Sequence, residues 1–344
     1  MKQLQTPILF LVFNRPNLTQ LVFEQIRKQQ PEKLFIAADG PRYPFKKEPL
    51  LCIQTRAVVS LIDWPCQVFT LFRDKNLGCG RAVKEAIDWF FSHTDEGIIL
   101  EDDCLPHQDF FFYCERMLNI YRNDYGVMSI SGANFLKKKF LKKSAHYHST
   151  YGHIWGWATW KRAWALYNFE MRGIEDSFIL NEIRKFLSND FLFKHMYKVF
   201  YSVIDEKNDT WDAQWYFACW KHKAEFVCPF RNLITNIGYS GTNFNNRLNL
   251  HDHKTYPLCP RGIDKNYSSP SLKRRAQLTE LKFMGVYPAS IPYWYFRKMI
   301  LYIYQKCIWM TGGRRWTRIE GYCSAIERYS KIFFRKIKRK LTWD

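Results

Sequence analysis

Along the first hundred residues, short apolar runs alternate with segments in which apolar positions recur at helical spacing. The runs 8–13, 33–38, 66–72 and 97–100 predict strands, and 18–28, 50–62 and 82–91 predict helices. Strand and helix in alternation wind a sheet with helices on its faces, so the expected fold class is α/β with a wound sheet. Further on, 107–123 reads as a helix, 127–131 as a strand, and 175–201 as one or two amphipathic helices. For the last of these Phe186, Leu187, Phe191, Phe193, Phe200 and Tyr201 are core candidates. Asn14-Arg15, Asp39-Gly40 and Glu101-Asp102-Asp103 each stand just past a predicted strand. In open α/β sheets ligands bind outside the carboxyl ends of the strands, which makes these three loops the first place to look for chemistry.

Length and charge add a second region. A chain of 344 residues with 47% hydrophobic content exceeds what one core usually holds, so a main domain over 1–256, a linker over 257–290 rich in Pro, Gly and Ser, and a terminal region over 291–344 are expected. The net charge is +20, and the terminal region holds half of it, with thirteen Lys and Arg against Glu320, Glu327 and Asp344. Tyr293, Trp294, Trp309, Trp316 and Phe333 are interleaved with those bases, the composition of an amphipathic helical element lying on an anionic membrane surface. Nucleic-acid binding and an ordinary helix pair with a basic face are the other readings of this composition. No apolar run approaches the ~20 residues that span a bilayer, and the first residues lack the apolar stretch of a signal peptide. The expected location is therefore the cytoplasm, peripheral on the inner face of the inner membrane. Ten cysteines without a Cys-x-x-Cys are expected to be mostly reduced, buried small hydrophobes.

Each candidate motif admits a chemical and a structural reading. Three adjacent carboxylates at the end of an apolar strand repel one another, and a hard divalent cation such as Mn²⁺ or Mg²⁺ neutralises them while phosphate oxygens complete its shell. An exposed acidic turn ahead of a helix is the alternative. Arg73 to Arg81, with Gly78 and Gly80, offers amides and positive charge at a helix start, either an anion site or a turn that needs glycine. Asp212 stands between Trp211 and Trp215, where partial desolvation suits a general base, or it caps the adjoining helix. Gly152 and Gly156, set among the rings from Tyr151 to Trp160, suggest either flat rings lining a sugar groove or a Trp-rich core.

Taken in order, Phe13-Asn14-Arg15-Pro16, Ala38-Asp39-Gly40, Asn76-Leu77-Gly78-Cys79-Gly80, Ile98-Ile99-Leu100-Glu101-Asp102-Asp103-Cys104-Leu105-Pro106, Gly152-His153-Ile154-Trp155-Gly156-Trp157-Ala158-Thr159-Trp160, Trp211-Asp212-Ala213-Gln214-Trp215 and Asn232-Leu233-Ile234-Thr235-Asn236-Ile237-Gly238 form a longer pattern. The set resembles a bacterial nucleotide-sugar glycosyltransferase of the hemolytic-protein-like group, itself similar to eukaryotic N-acetylglucosaminyltransferase I. The resemblance covers about residues 5–245. It implies a GT-A fold, a Rossmann-like wound mixed sheet flanked by helices, and inverting transfer of a sugar from a UDP-sugar bound through Mn²⁺; the acceptor expected is a glycan or lipid-linked glycan of bacterial lipopolysaccharide or capsule. Position by position it implies that Asp103 is the metal ligand and that Glu101 and Asp102 hold the sugar and ribose. It further implies that Arg15 and Asp39 bracket the uracil and that Asp212 is the base. Arg81 is a further donor-binding candidate, and Trp155, Trp157 and Trp211 are acceptor-binding candidates. After Gly238 the chain departs from the pattern, with Tyr239-Ser240-Gly241-Thr242 and no histidine before His251. A metal-dependent nucleotidyltransferase would also use an acidic clamp on a wound sheet. A nucleic-acid-binding module is disfavoured, because the triplet repels phosphate unless a cation intervenes.

Overall fold

In a computed structural model, residues 3–136, 146–238, 254–258, 273 and 275–279 are described. All of them belong to one unit of the chain, Met1–Met284. The basic region 291–344, His251 and most of the expected linker lie outside the described residues.

The first half is a wound unit. Strand β1 (Ile8–Val12) leads through α1 (Pro16–Arg27) to β2 (Lys33–Ala38), then through α2 (Glu48–Arg56) and a 3₁₀ turn (Ala57–Leu61) to β3 (Gln67–Phe72). From there α3 (Cys79–His93) returns the chain to β4 (Glu96–Glu101). The predicted helix over 50–62 therefore starts two residues early and tightens after Arg56. β1, β2 and the interior of β4 are continuous apolar runs because helices cover both faces of the sheet, whereas edge strand β3 alternates and is half open to solvent.

The second half adds β5 (Cys104–Pro106), α4 (Gln108–Ile120), β6 (Val127–Ser131), β7 (His146–Ser149), β8 (Trp157–Trp160) and α5 (Lys161–Trp164). Next come α6 (Ser177–Leu187), α7 (Asp190–Ile204), α8 (Asp212–Lys221), β9 (Glu225–Pro229) and β10 (Ile234–Asn236). The main sheet has eight strands in the order β3-β2-β1-β4-β8-β6-β9-β7, and β5 pairs with β10 in a small second sheet. β1 to β4 run parallel to one another, and β8 enters antiparallel on β4, so the α/β class holds with a mixed sheet.

Asp176 and Asn189 cap α6 and α7 by accepting amide hydrogen bonds, which divides the predicted 175–201 helix in two. The core face of this pair is Ile183, Leu187, Leu192, Met196 and Phe200. Phe186, Phe193 and Tyr201 are only half-buried, and Phe191 is 49% exposed, which corrects four of the six core candidates. They fall beside the apolar stripe, which keeps the 3.6-residue period separately in each helix.

Part of the stretch expected as linker returns to this unit. Leu258 N donates to Asp109 Oδ2 at 2.6 Å, and the buried Gln277 donates to Thr150 Oγ1 at 2.9 Å and Leu187 O at 2.6 Å. No described helix is long and apolar enough to cross a membrane. Of the seven described cysteines, all free, five are buried, while Cys66 is half-buried and Cys79 exposed.

Candidate functional site

β1 and β4 are neighbours in the sheet, yet the chain leaves β1 in the other direction, toward β2. The carboxyl ends of β1 and β4 therefore flank a topological switch point, the crevice that wound sheets leave open for ligands. Arg15, in the cap position of α1, stands on one side, and Glu101, Asp102 and Asp103 stand on the other, with Glu101 in register with Leu11.

The acidic side is crowded. Asp102 is 5% exposed, and its buried Oδ2 has no hydrogen-bond partner among the described residues. Burial pushes the Glu101 carboxyl up to about 8, and the charges of Asp103, Asp102 and Asp212 push it the same way. Burial likewise raises Asp102 to about 7 against the pull of Arg15. One cation answers these charges: Arg15 Nη1 lies 2.8 Å from Asp103 Oδ2 and 3.5 Å from Asp102 Oδ1. Burial works against the guanidinium charge, but Asp102 and Asp103 together keep its pKa above the ordinary value.

The motif ending at Gly238 closes over this loop. β10 runs antiparallel to β5, Asn236 opposite Cys104, and Ile237 N donates to Asp103 O at 2.8 Å. A Cβ on Gly238 would stand 2.2 Å from Asp103 Oδ2, so only glycine permits the approach. Residues 239–253 lie outside the described residues.

Asp212 is the first residue of α8, and Trp211 occupies the cap position, so the capping reading is corrected. Its Oδ1 accepts from Ala213 N at 2.8 Å and from Thr210 Oγ1. Among the described residues nothing bonds to Oδ2. Its charge raises the pKa of Glu101, Cys79 and Tyr167, so it stands within electrostatic reach of the triplet.

Asp39 is deployed differently. Its oxygens accept from Gly40 N, from Leu77 N and from Asn76 Nδ2 at 2.9–3.1 Å, which fastens the turn after β3 to the end of β2. Burial nevertheless raises its pKa.

Of the two readings of residues 73–81, the turn that needs glycine fits, with Gly78 at a φ of 82°, while the open anion site does not. Cys79 N and Gly80 N donate to the two carboxylate oxygens of Asp209, at 2.7 and 2.8 Å, so the amides already hold an anion from the chain itself. Supplied with this cap, the helix begins at Cys79 rather than at 82. Arg81 is exposed in its first turn.

The expected aromatic groove is corrected for two of its three rings. Trp157 and Trp211 are 1% and 2% exposed and stack on each other with centroids 5.5 Å apart and planes at 19°. With Trp164 and Trp215 they form a core, because rings at 157 and 211 bury more apolar area inward than a groove would. Trp155 is half-buried beside Phe135 and His153. Sequence reasoning missed Asp209 altogether. It lies in a polar loop like many others, and its partners are 129 and 130 residues away.

Among the described residues no group of three or more His, Cys, Asp or Glu side chains is arranged to hold a metal ion. The donor set fits instead a hard cation that takes one carboxylate from the protein and most of its shell from a bound ligand. Arg15 already stands as a cation on Asp103 and 3.5 Å from Asp102, whose Oδ2 is left with no hydrogen-bond partner among the described residues.

No family model and no curated protein matches the chain. Solved structures that resemble it include HddC from Yersinia pseudotuberculosis, at 11% identity and TM-score 0.29 over 46% of this chain and 78% of that one. The inositol-1-phosphate CTP transferase from T. maritima resembles it at 7% identity and TM-score 0.30, over 48% of this chain and 75% of that one. A UDP-glucose pyrophosphorylase complexed with UDP-glucose resembles it at 14% identity and TM-score 0.24, over 41% of this chain and 61% of that one. Likeness at these scores carries no inference about activity.

Proposed function

We propose that this chain is an inverting, metal-dependent glycosyltransferase of GT-A type that moves a sugar from a UDP-sugar to a glycan or lipid-linked glycan acceptor. The observation that carries the reading is the placement of two carboxylate elements close enough to act on each other's charge. The triplet at the switch point is under-neutralised and wants a cation with an anionic ligand. Asp212, within its electrostatic reach, has one oxygen pinned and the other free.

Asp103 is the residue that would hold Mn²⁺ or Mg²⁺, with Arg15 moving off Oδ2 to meet the diphosphate or uracil. When bound, the cation offsets the charge that builds on the departing diphosphate. Glu101 and Asp102, nearest the strand end, serve the sugar and ribose hydroxyls. A carboxylate pushed up in pKa is a strong acceptor for such hydroxyls once the cation holds it ionised. Asp39 shapes the donor side by holding the turn at Asn76-Leu77, and Arg81 stands at the same end of α3 for the phosphates.

In the transfer step the acceptor hydroxyl gives its proton to Asp212 Oδ2 as its oxygen bonds to the anomeric carbon. The bond from that carbon to the phosphate oxygen breaks, and UDP leaves with the electron pair. Trp155 is the ring retained for the acceptor. The composition of 291–344 supports a peripheral place on an anionic membrane surface, where lipid-linked precursors of bacterial surface polysaccharide are made.

Screening UDP-sugars for thermal stabilisation with and without Mn²⁺ tests the reading, since a ligand that binds only the folded state raises its apparent stability. Release of UDP on addition of an acceptor is the expected result. Release of pyrophosphate from a nucleoside triphosphate would make the protein a nucleotidyltransferase instead.

A further inference from the structure

We propose that Asp209 is a positioning residue that locks the base-bearing loop onto the start of α3, so that Asp212 meets the donor in a single geometry; this rests on the glycosyltransferase reading. The first amides of a helix lack partners within it, and a carboxylate there is favoured both by hydrogen bonding and by the helix dipole. Asp209 supplies that carboxylate from a distant loop, with one oxygen on Cys79 N at 2.7 Å and the other on Gly80 N at 2.8 Å.

The helix start is shaped for this contact. A Cβ on Gly78 would lie 2.5 Å from Asp209 Oδ2, and one on Gly80 would lie 2.7 Å from Oδ1 and 2.8 Å from Thr210 O. Gly78 also has a φ of 82°, which disfavours any side chain. Both glycines are therefore accounted for by the approach of residues 209 and 210.

From Asp209 the connection to the base is short. Thr210 Oγ1 donates to Asp212 Oδ1, and Thr210 O accepts from Gln214 Nε2 at 2.8 Å. Gln214 is buried, so the loop is held at both ends, by α3 on one side and by the first turn of α8 on the other. A base displaced by an ångström loses much of its effect, so what the lock controls is turnover rather than donor binding.

The test uses the full chain. For D209A the expected result is kcat lowered at least ~30-fold, with the Mn²⁺-dependent Kd for the UDP-sugar within about twofold of the parent. D209N, which keeps one acceptor oxygen, is expected to recover at least ~3-fold of that loss. G80A pushes the carboxylate away from the opposite side and should lower kcat similarly, but cost less than ~3-fold when added to D209A. In hydrogen exchange, D209A should speed the amides of Cys79 and Gly80 and of residues 209–214 at least ~10-fold while leaving β1 and β4 unchanged. Unchanged exchange overturns the lock, and so does a kcat within about threefold of the parent or a donor affinity that falls in step with kcat. A parent protein that binds and turns over no UDP-sugar overturns the glycosyltransferase reading instead, and the exchange experiment still judges the lock by itself.

Discussion

Asp39 and Asp209 lie at the same carboxyl edge of the sheet as Glu101, Asp102 and Asp103, and the two sets are built in opposite ways. The first two spend their oxygens on the backbone: Asp39 on the turn at Gly40 and Leu77, Asp209 on the start of α3. The triplet has Arg15, a bare oxygen on Asp102 and pKa values pushed up to about 7 and about 8. A carboxylate satisfied by amides is framework, because moving it strands buried donors. A crowded, buried cluster short of positive charge must keep protons or take up a cation, because burying such charges uncompensated is costly. Asp212 stands between the sets, one oxygen tied to the framework and one open.

Four experiments press on that contrast. The largest effect is expected at the open oxygen: Asp212→Asn should lower kcat by ~10²–10⁴ while donor binding, tracked by calorimetry, changes little. Unchanged turnover would remove Asp212 from the base role. Next, Asp103→Ala should weaken Mn²⁺-dependent UDP-sugar binding on the order of 10²-fold, about 2.7 kcal/mol. Full binding or activity in metal-free buffer would mean that the triplet is not a clamp.

On the framework side, Asp39→Ala should leave catalytic chemistry in place but cost about 1–3 kcal/mol in denaturant unfolding, the toll of amides left without acceptors. An unchanged unfolding midpoint would dissolve the distinction between the sets. The smallest effect is with pH. Glu101 and Asp102 have folded-state values above the ordinary carboxylate range, so between about pH 4 and their values of about 8 and about 7 the folded state keeps protons that the unfolded chain has released. Stability of the metal-free protein should therefore fall as pH rises through that window, and Mn²⁺ should raise Tm more at about pH 8 than at about pH 5. A Tm that rises with pH in metal-free buffer would contradict the raised values.

Much of this was legible in the chain. Periodicity alone predicts 33–38 and 127–131 as strands to the residue, and it sets the acidic triplet at the end of a buried strand. An apolar run buried on both faces is a local property, and so is its end. The last of the ordered motifs, ending at Gly238, lies directly over Asp103 in the folded chain.

Other features had no local trace. The same tryptophan pattern serves a groove or a core, and burial of Trp157 and Trp211 came from how β8 and α8 pack. The glycines at 78 and 80 admitted an anion cradle or a turn, and only the folded chain shows that an aspartate from 129 and 130 residues away sits on the amides there. The sequence by itself determined the wound α/β class and the acidic strand end, because each is written in neighbours within a few residues. Tertiary structure alone decided which carboxylates are spent and which are left open, because a hydrogen bond closed across more than a hundred residues leaves no period, spacing or composition at either end.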